Sequence, residues 1–354
     1  MNTLDKLELI EKIDKSNMLK LLVDFPRQAR VAIDIGRKAS LSNFKNKPIE
    51  NIIINGMGGS AIGGDLLKCS LTEKIKIPIF VNRNYTLPAF VSEKSLVFTC
   101  SYSGNTEETL SSFSRAREKG ANIIALSSNG ELEKIAGREN LTFIKIPGGL
   151  PPRCALGYSF FPLLITMSRL KLVDFPDCEL EETLSVLRTI EEENNAGVKT
   201  KDNLAKKVAL KLFKKLVVIY AWADYYEVAA YRFRCQLAEN SKHLSFHHTI
   251  PEMNHNEIMG WSHPESLLKD IEVVFLVDKN QHQRITRRIE VLAPIIEKKA
   301  RGITMVPAKG ENLLAKIFSL IYIGDFASFY LAILNRVDPT PVDTISYLKE
   351  QLAR

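Results

Sequence analysis

Short apolar runs alternate with amphipathic stretches along most of this chain, and the alternation occurs twice. After one or two helices between Leu4 and about Lys38, β-branched runs predict strands at Asn51–Ile54, Ile77–Val81, Leu96–Ser101, Ile123–Leu126 and Phe143–Ile146, with helical spacing between most of them. The cluster PGGLPP at 147–152 closes this series. An apolar helix from Ala155 to about Leu170 and a polar one near Glu179–Asn194 form a bridge. The second series predicts strands at Leu216–Trp222, Glu272–Val277 and Gly302–Val306, with helices near Tyr225–Glu239, Gln283–Lys299 and Asn312–Leu334. DPTP at 338–341 then turns the chain into a last helix, Val342–Leu352. Strands alternating with helices imply parallel sheets covered on both faces, with ligands at the C-terminal ends of the strands. The expectation is an α/β chain of two doubly wound domains, each a mainly parallel sheet flanked by helices. Residues 1–45 would be N-terminal helices, 46–195 the first domain with bridging helices, and 196–354 the second with a helical tail.

Composition agrees with two domains: 354 residues, 45% hydrophobic, are too many for one small core. The densest apolar patches by this reading, Phe160–Met167 and Leu216–Ala223, fall short of the roughly 18 residues that a membrane span needs, so no membrane partner is expected. The start, MNTLDKLELIEKI, is acidic and amphipathic rather than a basic leader. Cysteines at 69, 100, 154, 178 and 235 form no CxxC pair and read as reduced thiols of a cytoplasmic protein. The net charge of +7 is most concentrated in Lys199–Lys215, where Leu204, Val208, Leu212 and Leu216 recur at helical spacing. That reads as a solvated basic helix face, and with Phe213 the single aromatic among its lysines it makes nucleic acid an unexpected partner.

Two segments carry candidate chemistry. NIIINGMGGSAIGGDLL, from Asn51, and TCSYSGNTEETL, from Thr99, each run from a predicted strand through small residues into a helix, the arrangement that presents backbone N–H groups and a helix N-terminus to an anion. The first lacks the Gly-Lys-Ser/Thr ending of a Walker loop, but Gly56, Gly58 and Ala61 satisfy GxGxxA. A dinucleotide is therefore a rival reading, although Asn82-Arg83 after the next strand lacks the acid that would hold the ribose hydroxyls. Gly63-Gly64 also has a packing explanation, close approach of helix to strand. In the second segment Ser101, Ser103 and Thr106 can converge on one anion. Capping by Asn105 and Glu108 is the alternative, and it leaves the two serines unexplained.

SxSGxTxE after a strand resembles the phosphosugar-binding loop of sugar isomerase (SIS) domains. PPRCALGYSF at 151–160, AENSK at 238–242, IPEMNHNEIMGW at 250–261 and DPTPVDTISYLK at 338–349 are similar to segments of the bifunctional phosphoglucose/phosphomannose isomerases. Cys154 and Ala238 depart from that pattern, but neither replaces a reacting group.

The resemblance implies two SIS-type domains and interconversion of glucose 6-phosphate and mannose 6-phosphate with fructose 6-phosphate through an enediolate, without metal or organic cofactor. It implies that Ser101, Ser103 and Thr106 hold the phosphate while Gly58, Gly59 and Ser60 line the sugar side. Glu239 is implied as the proton-shuttling base; a carboxylate suits that role where desolvation and a helix C-terminus disfavour the anion. His255 is implied for ring opening, supplied across a homodimer interface. Arg153 would stabilise the enediolate, with Thr340 assisting rotation about C2–C3 and Lys349 a further active-site position. Histidines 243, 247, 248 and 255 suggest zinc, but their spacing has no HExxH and no nearby cysteine, so no metal is expected. The same fold also serves non-catalytic sugar-phosphate sensors, for which Glu239 and His255 would be superfluous.

Overall fold

The computed structural model of the chain describes residues 3–44 and 48–352. Phe25–Asp177 forms one compact unit. The described residues up to Asp24, together with those from Cys178 onward, form another. The expected division at 45/46 lies outside the described residues.

Two short helices, α1 (Leu7–Ile13) and α2 (Met18–Val23), open the chain and belong to the second unit. The first unit begins with α3 (Phe25–Lys38) and then alternates: β1 (Asn51–Asn55), α4 (Gly58–Ser70), β2 (Ile79–Asn82), β3 (Ser95–Cys100), α5 (Glu107–Glu118), β4 (Asn122–Ser127), α6 (Glu131–Arg138), β5 (Thr142–Lys145) and α7 (Leu156–Arg169). All five strands pair in parallel in the order β2-β1-β3-β4-β5. Every residue of β3 and β4 is buried, which is why these strands read as unbroken runs rather than alternations. The chain reverses its direction of growth between β1 and β3, so the loops leaving their C-terminal ends flank one crevice. Gly64 and Gly63 bring α4 in close: a Cβ on Gly64 would stand 2.7 Å from the Ile54 side chain, and one on Gly63 2.3 Å from the Ser159 carbonyl of α7. The packing explanation of this glycine pair therefore holds.

The second unit continues with α8 (Asp177–Asn194), α9 (Leu204–Leu212), β6 (Leu216–Trp222), α10 (Glu227–Ser241), β7 (Ser245–Ile250), α11 (Glu265–Leu268), β8 (Ile271–Val277), α12 (Gln283–Glu297), β9 (Gly302–Pro307), α13 (Leu313–Asn335) and α14 (Asp343–Leu352). Its sheet is parallel in the order β7-β6-β8-β9. Strand β7, SFHHTI, is an addition to the elements that the sequence pattern predicts. Two histidines weaken its apolar pattern, and pairing with β6 from Val217↔Ser245 to Trp222↔Ile250 supplies what local preference does not.

Helix α13 corrects the sequence reading of apolar runs. It is long and apolar enough to cross a membrane, with mean hydropathy 1.8 over its most apolar window, yet 94% of that window is buried in the protein. It is apolar on all sides because it is the core helix of its unit. Lys316 and Asp325 interrupt the run in sequence, but both are buried and paired, Lys316 with Asp278 and Asp325 with Arg232. The N-terminal residues dock onto this core. Tyr322 donates its hydroxyl to the Leu22 carbonyl, and the fully buried Lys206 ammonium reaches Asp5 at 3.3 Å.

Candidate active site

In the first unit the loops after β1 and β3 are joined by one hydrogen bond, from the Tyr102 N–H to Ser60 Oγ at 3.1 Å. Ser101 is fully buried, and its Oγ lies 3.0 Å from Thr106 Oγ1. The capping alternative for Asn105 is corrected here. Thr106 is the N-cap of α5 and makes no side-chain cap bond, while Asn105 Oδ1 accepts from the Glu131 N–H at the start of α6. Helix α4 likewise begins at Met57 and Gly58 with no side-chain cap. Both loops thus deliver helix N-termini whose first N–H groups are left to other acceptors, the requirement for gripping an anion. Ser103 Oγ meanwhile accepts from the Asn105 N–H at 3.3 Å.

Arg153 sits beside these loops because of Gly59. A Cβ on Gly59 would lie 2.7 Å from the Pro152 carbonyl, so only glycine allows the 3₁₀ turn Pro152–Cys154 to pack there. Arg153 is 5% exposed, and a guanidinium keeps its charge when withdrawn from water. Tyr102 supports the same segment: its hydroxyl accepts from the Leu150 N–H at 3.0 Å, and its carbonyl accepts from Ser128 Oγ at 2.7 Å. Burial holds the Tyr102 phenol above its ordinary pKa. This residue joins glycine loop, serine loop and arginine turn. Its place inside SxSG is visible in the sequence, but its contacts are not.

The dinucleotide reading loses support at β2. The position that would carry a ribose-binding acid is Asn82, whose amide is buried and donates to Asn55 Oδ1 at 3.1 Å, an oxygen that also accepts from Ser112 at 2.6 Å. Arg83 is engaged by Asp65 of α4.

The equivalent crevice of the second unit, after β6 and β8, holds an internal anion. Asp278 accepts from Tyr226 Oη at 2.7 Å, from Lys316 Nζ at 3.0 Å and from the Asn280 N–H at 3.1 Å. Burial opposes its ionisation, but these donors outweigh it and hold the carboxyl below the usual range. Donors that would otherwise suit a phosphate are thereby satisfied.

Other candidates lie elsewhere in the second unit. Glu239 is half-buried in the last turn of α10. Lys242, in the left-handed conformation that ends this helix, donates from Nζ to the Glu239 carbonyl at 2.9 Å and to the Asp338 and Pro339 carbonyls at 2.9 and 3.3 Å. Asp338 Oδ1 in turn accepts from the Thr340 N–H at 3.0 Å. The structure therefore brings the Glu239 helix end and the Thr340 turn together through Lys242, a residue of the AENSK segment to which sequence reading assigns no role. His255 is exposed in the turn Glu252–His255 after β7. Its neighbour Glu257 anchors that segment through Tyr220 and through His248 Nδ1 at 2.8 Å, and Trp261 Nε1 donates to the same tyrosine hydroxyl at 3.0 Å. Lys349 is exposed on α14, a helix with no buried residue, and among the described residues no hydrogen bond joins it to the other candidates. Of the remaining histidines, His243 Nε2 lies 2.6 Å from the Lys215 carbonyl and His247 packs on Tyr231. Among the described residues no three His, Cys, Asp or Glu side chains gather as a metal site.

Two family matches cover most of the chain: a SIS domain over residues 47–147 and a bacterial phospho-glucose isomerase C-terminal SIS domain over 201–352. The chain is 44% identical to a bifunctional phosphoglucose/phosphomannose isomerase of Caldicellulosiruptor bescii over 95% of its own length and 99% of the relative's. It is 35% identical to the protein of that name from Aquifex aeolicus, over 87% and 92%. Among solved structures, a glucose-6-phosphate isomerase-like protein from Thermus thermophilus superposes with TM-score 0.66 over 97% of this chain and 99% of that one. At 17% identity the superposition speaks for the fold alone: two parallel-sheet α/β domains of SIS type.

Proposed function

Because the chain belongs to the bifunctional phosphoglucose/phosphomannose isomerase family, a family of isomerases, we propose that it interconverts glucose 6-phosphate and mannose 6-phosphate with fructose 6-phosphate. The observation that carries the proposal is the pair of uncapped loops at the β1/β3 switch point, with the Ser101–Thr106 hydroxyl pair in the loop after β3 and Arg153 packed alongside the loop after β1. In this reading Ser101, Ser103 and Thr106 and the N-terminal amides of α5 take the phosphate, and Gly58, Gly59 and Ser60 face the sugar.

His255 protonates the ring oxygen to open the pyranose or furanose. Glu239 removes the C2 proton of the open aldose and returns it to C1, while Arg153 balances the charge on the enediolate oxygens. The two aldoses differ only at C2, so both give the same enediolate. Returning the proton to either face requires rotation about C2–C3, which Thr340 assists, with Lys349 as a further contact. As the carbon-bound proton passes from C2 to C1 a hydroxyl proton passes from O2 to O1, so the isomerisation balances by proton transfer and needs no redox cofactor.

A homodimer in which each copy supplies His255 to the other is part of the proposal. Exposed Phe246 on the edge strand β7, exposed Leu244 just before that strand and exposed Met259 near His255 support such an interface. Five thiols suit the reducing cytoplasm.

The test is a coupled assay for fructose 6-phosphate, fed each aldose separately with a chelator present. Turnover of both is expected, and Glu239→Gln should lose about a thousandfold or more in kcat while still binding substrate. Turnover of glucose 6-phosphate alone would restrict the function to one substrate, and full activity of Glu239→Gln would remove the assigned base.

A further inference from the structure

We infer that Lys242 is a positioning residue, whose ammonium fixes the turn carrying Thr340 against the end of the helix carrying Glu239. The inference rests on the isomerase reading above.

A helix end leaves its last carbonyls without partners, and a cation there is favoured by the dipole. Lys242 fills this role for α10, with Nζ 2.9 Å from the Glu239 carbonyl and 3.3 Å from that of Asn240. A capping lysine needs no more. This one also reaches a segment nearly one hundred positions away, meeting the Asp338 and Pro339 carbonyls at 2.9 and 3.3 Å. Four carbonyl oxygens from two segments converge on one ammonium. The left-handed backbone of Lys242 (φ 52°) turns the chain out of the helix at this point. The turn is stiff on its own side: Pro339 and Pro341 bracket Thr340, and Asp338 Oδ1 accepts the Thr340 N–H at 3.0 Å. Displacing the Pro339 carbonyl therefore displaces Thr340 with it.

The neighbouring bonds do a different job. Asn240 Nδ2 donates to Ser328 Oγ at 2.9 Å, and Asn335 Nδ2 donates to the Ser241 carbonyl at 3.0 Å. These hold α10 to α13, whereas Lys242 reaches past α13 to the turn beyond it. Its ammonium bonds main-chain oxygens whose two segments carry the proposed base and the proposed hydroxyl. A shift of about 1 Å in such a frame is enough to cost on the order of a hundredfold in rate.

The experiment is steady-state kinetics with both aldose phosphates on the full-length parent, Lys242→Met, Lys242→Arg, Thr340→Val and the Lys242→Met/Thr340→Val double variant, each at a temperature where thermal denaturation shows it folded. Lys242→Met should lower kcat about tenfold or more while KM stays within about threefold, and should alter the mannose-to-glucose kcat ratio. Lys242→Arg, which keeps a cation able to bond carbonyls, should recover most of both. If Lys242 acts through the Thr340 turn, the double variant should be little worse than the worse single one. Additive effects, an unchanged ratio, or a loss that Arg does not relieve would overturn the positioning role while the isomerase reading stands. No turnover by the parent would overturn that reading and this inference with it.

Discussion

Gly59 and Pro152 touch so closely that a Cβ on the glycine would stand 2.7 Å from the proline carbonyl oxygen. The contact sets the 3₁₀ turn bearing Arg153 against the loop after β1, so a change at Gly59 is felt at Arg153.

Gly59→Ala is therefore expected to displace the Pro152–Cys154 turn and to lower kcat/KM by about tenfold or more, with thermal stability less affected. Parallel kinetics and thermal denaturation check this. Wild-type kinetics would mean that the turn yields without moving the guanidinium.

Ser101→Ala removes a buried hydroxyl from the proposed phosphate grip. A hydrogen bond to a charged group contributes about 1.5–3 kcal/mol, so KM for both sugar phosphates should rise roughly ten- to a hundredfold, with a smaller change in kcat. Competitive inhibition by inorganic phosphate should weaken in parallel. An effect confined to kcat would contradict the assignment.

His247 sets an acid limit on stability. Burial, then the charges of Arg234 and His248, lower its pKa from the ordinary 6.5 to about 4. The folded state resists protonation that the unfolded chain accepts, so stability is complete above pH 6.5 and falls as pH drops towards 4. The loss is on the order of 2 kcal/mol once partial exposure is allowed for. Urea denaturation between about pH 7 and pH 4.5 should show this slope, and His247→Phe should flatten it. An unchanged slope in His247→Phe would assign the acid sensitivity to other groups.

Arg232 and Asp325 are 6% and 5% exposed and paired in two places, Nε to Oδ1 at 3.0 Å and Nη2 to Oδ2 at 2.8 Å. Asp325→Ala strands a buried guanidinium and should cost about 3–5 kcal/mol in denaturant unfolding, more than replacement by Asn. A loss under about 1 kcal/mol would show that water or another group reaches Arg232.

Much of the first unit is legible because its strands are buried on both faces and bounded by glycine, proline and serine. Its runs therefore announce themselves without knowledge of their neighbours. The same holds for the anion loops, whose residue types and order are dictated by how a backbone approaches an anion. Strand β7 is not legible, because its stability comes from β6 rather than from SFHHTI itself. The unbroken apolar length of α13 is hidden because Lys316 and Asp325 look like breaks until their partners Asp278, just past β8, and Arg232, on α10, are known.

Sequence alone determined the two βα series, the loops after β1 and β3, and the motifs that mark the family, since each depends on spacing within a few residues. Tertiary structure alone decided that Asn105 caps α6 instead of α5, that Asp278 fills the second crevice, and that Lys242 joins Glu239 to the turn at Thr340. Those three facts are hydrogen bonds between groups far apart in the chain or on different elements. A local pattern records which donors and acceptors exist, and only the packed fold decides which of them meet.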